Sequence, residues 1–120
     1  MTLVFDIETN GLLLDVSKFW VGVTYCIETK EEKVFHEAEE LVRYLNKGTT
    51  LVGHNIIGYD IPTLNKLSSI SIDSTIALVD TYILAKLAYY DKDKSWSHSL
   101  DAYGERLGEK KGDYHDWSKY

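Results

Sequence analysis

The 120-residue chain is 44% apolar and 27% charged, values typical of one globular domain and not of a disordered or disulfide-stapled protein. No apolar run reaches the roughly 18 residues of a membrane helix, and the one cysteine, Cys26, predicts a protein of the reducing cytoplasm with no membrane partner. The net charge of −6 argues against a protein that coats duplex DNA through Lys and Arg, but it is compatible with an enzyme whose carboxylates bind divalent metal.

The first half of the chain predicts three strands followed by a helix. Residues 2–8 alternate between two faces, residues 19–27 form a second strand, and residues 33–36 can pair back as a short third strand. The helix covers residues 37–46 by the spacing of its apolar residues. One face of the first strand is formed by Leu3, Phe5 and Ile7. One face of the second strand is formed by Phe19, Val21, Val23, Tyr25 and Ile27.

The second half of the chain predicts strands that alternate with helices. Short apolar runs indicate buried strands over residues 50–53 and 76–79. Asp60 is a good N-cap for a helix that reaches about residue 68, and Asp80 and Ser99 are N-cap candidates for the next two helices. A polar loop over residues 90–97 separates those two helices. Because a hairpin-like start is followed by strand–helix units, we expect a mixed sheet covered by helices in one domain.

Two carboxylates share one face of the first predicted strand. Asp6 and Glu8 are two residues apart, or about 6.6 Å along an extended strand. Like charges in a central strand are costly unless something neutralises them, and a divalent cation is the usual partner. The pair therefore indicates a metal site. The alternative is that both side chains point into solvent at the frayed end of the strand.

A second polar segment, residues 54–60 (HNIIGYD), lies between a predicted strand and a predicted helix. A loop at the carboxyl end of a buried strand can present side chains to a ligand. The alternatives are that His54 and Asn55 are ordinary turn residues and that Asp60 is a plain N-cap. Neither polar segment decides the function by itself.

Taken together, the two segments resemble the first two motifs of the DEDD (DnaQ-like) 3′→5′ exonucleases. Residues 6–12 (DIETNGL) are similar to the first motif with its trailing turn, and residues 55–60 match the pattern N-x-x-x-Y-D of the second. Residues 97–107 (SHSLDAYGERL) and 108–112 (GEKKG) look like the segment that leads to the third motif in proofreading domains of phage family A DNA polymerases. The resemblance covers nearly all of the chain.

The resemblance implies an α/β fold with an RNase H-like mixed β-sheet flanked by helices, and hydrolysis of single-stranded DNA 3′ ends by a two-metal mechanism. Two divalent cations, Mg²⁺ or Mn²⁺, would be held by three catalytic carboxylates, those of Asp6, Glu8 and Asp60. The residues that would contact nucleic acid are Thr9, Asn10, Gly11, Leu12, His54, Asn55 and Tyr59. A single-stranded end is bound by stacking and local contacts, so the net negative charge is tolerable.

One part of the family pattern does not occur in these residues. The family carries a fourth carboxylate on a last helix, in the form Y-x-x-x-D or H-x-x-x-x-D. After Asp80 only Tyr89 and Asp93 fit the first form, and they precede residues 97–107, where the family places nothing catalytic. We therefore expect residues 1–120 to form a single exonuclease-like domain that is C-terminally incomplete and lacks its last helix. Activity of the chain alone is expected to be low, because a metal ligand and the residue that orients the water are both absent.

Two roles follow from this expectation. The first is a proofreading exonuclease that works with a DNA polymerase domain in the same or a separate chain, in the host cytoplasm if a phage encodes it. The alternative is a catalytically weak or inactive exonuclease fold that acts as a nucleic-acid-binding, polymerase-binding or regulatory module. A homodimer, formed through apolar surface that the missing helix exposes, would be compatible with either role.

Overall fold

The computed structural model describes residues 1–89, 97–99 and 102. These residues contain five strands, one π-helical turn and three α-helices. The strands are β1 (Thr2–Thr9), β2 (Phe19–Cys26), β3 (Glu32–Phe35), β4 (Thr50–Gly53) and β5 (Ala77–Asp80). The helical segments are α1 (Ala38–Leu45), the π turn (Ile56–Asp60), α2 (Ile61–Leu67) and α3 (Thr81–Ala88). In the described part of the chain, none of the helices has the length and apolar character needed to span a membrane.

The strands form one mixed sheet in the order β3-β2-β1-β4-β5. β2 is antiparallel to both β1 and β3, whereas β1, β4 and β5 run parallel to one another. This arrangement confirms the predicted mixed sheet with helices. Because β1 is central and three neighbouring strands share its direction, their carboxyl ends meet at one edge of the sheet. Ligands bind at that edge in open α/β sheets.

The main core lies between one face of the sheet and the helices α1 and α2. Leu3, Phe5 and Ile7 of β1 are buried there, as their alternation predicts. The helix α1 contributes Leu41 and Leu45, which are fully buried, so its predicted apolar stripe faces the sheet. Burying a large aliphatic side chain contributes roughly 1.5–3 kcal/mol. Burial on the core face therefore offsets the free-energy cost of the two carboxylates that β1 carries on its other face.

The core face of β2 is not its larger apolar face. Gly22, Thr24 and Cys26 pair with the core-facing residues of β1 and are buried, whereas Val23 is half-buried and Tyr25 is exposed. Small residues are needed on the core side because a Cβ added at Gly22 would approach the α1 side chains too closely. Of the apolar face predicted for β2, Val23 and Tyr25 lie on the second face of the sheet, which the helices α1 and α2 do not cover, whereas Phe19 packs against the main core.

The capping predictions after β5 hold where the structure describes them. The Asp80 carboxylate accepts hydrogen bonds from the first-turn N–H groups of α3, and Ser99 Oγ accepts one from Ala102 N at 3.1 Å. The apolar side chains of α3 are exposed, and none of its described residues is buried. Residues 90–96 of the predicted loop, and the last helix beyond Ala102, lie outside the described residues.

Candidate active site

Asp6 and Glu8 lie near the carboxyl end of β1, on the face opposite the core. Both remain within the strand, where they pair with Val23 and Val21 of β2. Asp6 is exposed and Glu8 is half-buried. The strand does not fray at this point, although the Asp6 side chain reaches solvent. The register shift that follows, between Glu8 and Thr9, marks the point where the chain leaves the sheet.

The π turn brings Asp60 to the same edge of the sheet. It starts after Asn55, whose backbone is left-handed with φ 60°, and the N–H of Ile61 donates to the carbonyl of Ile56 across five residues. Asp60 has helical backbone angles and makes no side-chain cap hydrogen bond. The N-cap interpretation of Asp60 is therefore wrong, because the helical segment starts four residues earlier. π-helical turns are rare and occur frequently at functional sites.

The Asp60 carboxyl group is buried among other acids. Its side chain is 5% exposed, and Oδ2 has no hydrogen-bond partner among the described residues. Burial raises its pKa to about 8, and the charges of Asp6, Asp80 and Glu8 add to the shift, although the backbone N–H of Ile7 donates to the carboxyl and opposes it. Asp60 therefore interacts with both acids of β1, as the two-motif resemblance implies. A proton or a cation is required to neutralise this group.

The donor atoms at this edge of the sheet are of the type that binds divalent cations. All are carboxylate oxygens, which Mg²⁺ and Mn²⁺ prefer, and the unpartnered Asp60 Oδ2 is available to accept such an ion. The donors are not preassembled, however. In the part of the chain that the structure describes, no three His, Cys, Asp or Glu side chains form a group that could hold a metal ion. Any metal site here must draw the acids closer together than they are without an ion.

Asp80 is a fourth acid at this edge, and the sequence indicated it only as an N-cap. Its carboxylate is 4% exposed and sits at the end of β5, beside Gly53 of β4 in the parallel register. Besides capping α3, it accepts hydrogen bonds from the backbone N–H groups of Asn55 at 2.8 Å and Ile57 at 3.0 Å. The sequence signal that could have placed Asp80 at this edge is its position immediately after an apolar run that predicts a strand parallel to β1.

Tyr59 joins the π turn to the end of β1. Its hydroxyl group donates to the carbonyl oxygen of Gly11 and also contacts Thr9 Oγ1. Thr9 Oγ1 in turn is 3.1 Å from the carbonyl oxygen of Gly11. Three of the predicted nucleic-acid contacts are thus brought together, but their polar atoms bond to one another. The three residues form one wall of the site, and the hydrogen bonds among them fix the shape of that wall.

The loop after β1 is held firmly and exposes the apolar side chains of Leu12 and Leu14. Asn10 Oδ1 accepts from the backbone N–H groups of Ser17 and Lys18, each at 3.0 Å, so its side chain closes the loop. Leu12 is 75% exposed. A fixed backbone with an exposed leucine is suited to contact with a nucleotide base. Asn10 itself acts in the loop as a structural brace.

His54 lies at the carboxyl end of β4, and both of its ring nitrogens have partners within the chain. Nε2 is 2.7 Å from the carbonyl oxygen of His98, which can only accept, so Nε2 carries a proton. Nδ1 is 2.9 Å from Thr81 Oγ1. The ring also packs edge-on against Tyr82, with centroids 5.4 Å apart. His54 ties α3 and the segment around His98 to the sheet edge, a contact that the sequence did not indicate.

Asn55 lies over Gly58 within the π turn. A Cβ at residue 58 would come 2.5 Å from Asn55 Oδ1, so the glycine leaves room for the amide. Since the Asn55 N–H is already bonded to Asp80, the orientation of the residue is fixed from the backbone side. The second predicted motif is therefore one compact unit, in which Asn55 and Asp60 mark the two ends.

A family model of the RNase H superfamily matches residues 3–113. The chain belongs to this superfamily. Among curated proteins it is similar to the DNA-directed DNA polymerase of Escherichia phage T7, at 34% identity over 141 aligned positions, and to that of Enterobacteria phage T3, at 33% over 140. Each match covers 95% of this chain and 20% of the relative, so the chain spans about a fifth of the length of these polymerases.

Solved structures share the RNase H-like fold. The Brucella melitensis NrnC structure with bound Mg²⁺ matches 98% of this chain and 58% of its own, with a TM-score of 0.67 and 21% identity. The family B DNA polymerase of Pyrobaculum calidifontis matches 89% of this chain and 18% of its own, with a TM-score of 0.62 and 17% identity. The superfamily match and the phage relatives confirm the resemblance to a DnaQ-like exonuclease domain of phage polymerases. The site residues named above stay predictions.

Proposed function

We propose that this chain is a metal-dependent 3′→5′ exonuclease domain that hydrolyses the 3′ ends of single-stranded DNA. The observation that carries the proposal is the Asp60 carboxyl group, which is buried with an unpartnered oxygen beside the acids of β1. A buried carboxyl group among like charges destabilises the fold unless it takes up a proton or a cation. Such an arrangement is typical of sites used for chemistry.

Asp6, Glu8 and Asp60 would hold the metal. Two bound divalent cations supply Lewis-acid stabilisation of the phosphodiester and activate water for attack. The chain's own part is to bring the three carboxylates together on rigid elements. Glu8 and Asp6 are fixed by the pairing of β1 with β2, and Asp60 is fixed by the π turn. In the absence of metal, the Asp60 carboxyl group holds a proton at neutral pH.

The neighbouring loop supports a single-stranded substrate. Leu12 is exposed on a loop that Asn10 braces, and it can stack on a terminal base. Beside it, Tyr59 holds Thr9 and Gly11 in place, so the wall that faces the terminal nucleotide does not need to form on binding. Recognition by a few local contacts does not require a basic surface, which agrees with the net charge of −6.

Completion of the site needs a group from outside these residues. Neither form of the third motif occurs after Ser97, so we propose that residues 1–120 act as one exonuclease-like domain whose fourth carboxylate comes from another segment or a second chain. The second face of the sheet exposes Tyr25 and Val34, which provide apolar surface beside Asp6 on which such a helix, or a second copy, could pack. The phage relatives support a DNA polymerase as partner, in the host cytoplasm.

The test follows a 5′-labelled single-stranded oligonucleotide with Mn²⁺ or Mg²⁺. We expect slow shortening from the 3′ end that stops with EDTA and falls at least tenfold in Asp6→Ala, a loss at least as large as that from removing groups that only orient metal ligands. Asp73→Asn, which changes an exposed turn carboxylate, is the matched control. Metal-dependent shortening that survives Asp6→Ala would overturn the assignment of the site.

One observation favours the non-catalytic alternative. The described residues contain no group of three side chains that could hold a metal ion. A module that binds a 3′ end or a polymerase without cutting would show DNA or polymerase binding that EDTA does not change, and no shortening of the oligonucleotide. A titration with no binding of either partner, with or without metal, excludes this alternative.

A further inference from the structure

The Asp80 carboxylate does more than cap a helix. Oδ1 accepts from the N–H groups of Tyr82 at 2.9 Å and Ile83 at 3.4 Å, which are the cap bonds of α3. The same oxygen accepts from Asn55 N at 2.8 Å, and Oδ2 accepts from Ile57 N at 3.0 Å. A cap requires only the first two bonds. The other two fasten the start of the π turn, which belongs to a different part of the chain.

These two bonds hold a backbone conformation that is costly without support. Asn55 has a positive φ of 60°, in the left-handed region that non-glycine residues adopt when the surroundings impose it. A side chain at Gly58 would have to displace the Asn55 amide, whose Oδ1 lies 2.5 Å from the position of the added Cβ. A carboxylate that accepts from the N–H groups on either side of Ile56 makes this the preferred conformation, because hydrogen bonds to charged acceptors are the strong ones.

We propose that Asp80 is a positioning residue that fixes the π turn and, through it, sets the Asp60 carboxyl group against the acids of β1. The π turn has Asp80 bonded at its start and Tyr59 bonded to Gly11 near its end. Between these two points the backbone has little freedom, so Asp60 is held where Ile7 N–H can donate to it. The role of this positioning in metal binding rests on the proposed function, whereas the positioning itself does not.

Asp80→Asn separates positioning from capping. The amide oxygen takes the place of Oδ1, where three N–H groups donate, and the cap of α3 is kept because Asn is an equally good cap. The amide nitrogen then takes the place of Oδ2 and faces the Ile57 N–H, donor against donor. The variant thus removes one bond and the negative charge. Asp73→Asn is the matched control, because Asp73 accepts from Thr75 N and Oγ1 in an exposed turn.

The experiment is amide hydrogen exchange by NMR on the metal-free full chain. In Asp80→Asn we expect exchange of the Ile57 amide to rise roughly tenfold or more, as for the loss of a hydrogen bond to a charged group. The Ile7 amide should also exchange faster, because Asp60 no longer stays in place to accept from it. The Tyr82 amide should keep its wild-type rate, and Asp73→Asn should change none of the three.

Three outcomes overturn the proposal. The exchange rate of the Ile57 amide could be unchanged, it could rise while the rate at Ile7 stays at the wild-type value, or the rates at Ile57, Ile7 and Tyr82 could all rise equally. The last result would mean that Asp80 only stabilises the fold. If Asp80→Asn does not fold, Asp80→Ser, which caps the helix but is too short to reach Ile57, gives the same comparison. A Mn²⁺ titration of wild-type protein is run in parallel. Absence of binding there would refute the proposed function, while the exchange pattern would still decide the role of Asp80.

Discussion

Asp60→Asn should stabilise the metal-free chain much more at pH 8 than at pH 5. Burial and the neighbouring acids raise the pKa of Asp60 from 3.8 to about 8. The native state therefore keeps this proton between those two values, while the unfolded state releases it. Because the native state then binds more protons than the unfolded state, stability falls as the pH rises from about 4 to 8 and levels off above. Asparagine cannot ionise and removes this loss.

The size of the effect follows from the same shift. The pKa of Asp60 changes by about four units, and each unit corresponds to about 1.4 kcal/mol, so the full shift is worth as much as about 6 kcal/mol. Between pH 5 and pH 8 the wild-type chain should lose roughly 3–4 kcal/mol that Asp60→Asn does not lose. That is a large fraction of the 5–15 kcal/mol by which native proteins are stable.

The assay is urea unfolding in EDTA at pH 5, 6, 7 and 8, followed by circular dichroism. The informative quantity is the difference in the free energy of unfolding between the variant and wild type at each pH, from which the contributions of all other groups cancel. Asp73→Asn is the control. Its neighbours lower the pKa of Asp73, so its contribution to stability is lost only at acid pH, and this variant should differ from wild type by a constant amount over the range. Equal pH dependence of Asp60→Asn and wild type would refute the account of Asp60 as a group that repulsion and burial keep protonated.

Three further predictions concern the same edge of the sheet. Mn²⁺ should raise the melting temperature of the wild-type chain at pH 8 but not that of Asp6→Asn, and an equal rise in both would exclude Asp6 as a ligand. Gly53→Ala should destabilise the chain by roughly 1–3 kcal/mol, because a Cβ there meets the Ile56 side chain and lies 2.9 Å from the carbonyl oxygen of Phe5. Urea unfolding measures this loss, and an unchanged urea midpoint would contradict the packing. Tyr59→Phe should cost roughly 0.5–1.5 kcal/mol and weaken binding of a single-stranded oligonucleotide, measured by fluorescence anisotropy; unchanged affinity would mean that the turn after β1 does not contact DNA.

The sequence predicts β1 and its two carboxylates well, because strict alternation specifies a strand and its faces. The predicted β4 also matches the structure, whereas the boundaries of β2, β3 and α1 differ by a residue or so. The face of β2 could not be assigned from composition. Its core side consists of Gly22, Thr24 and Cys26, which fit against α1 because they are small, and hydropathy does not record the space available.

The candidate site could be located from the sequence but not built from it. Motif order brings Asp6 and Asp60 to one place, but an N-cap and a residue inside a π turn look alike in sequence, because both precede an amphipathic run. The partners of His54 and Asp80 depend on which strands are neighbours. Asp80 reaches the Asn55 N–H only because β5 pairs in parallel with β4, and that pairing is a property of the whole sheet.

The parallel half of the sheet also determines when the electrostatic cost of the site arises. Asp6, Asp60 and Asp80 are far apart along the chain, so an unfolded chain has almost no repulsion between them. The three acids meet only when β1, β4 and β5 dock, and burial of Leu3 and Leu51 in the same docking step offsets the repulsion. The core and the site thus depend on the same docking of strands, so folding does most of the work of concentrating negative charge and leaves an ion only the last approach of the carboxylates.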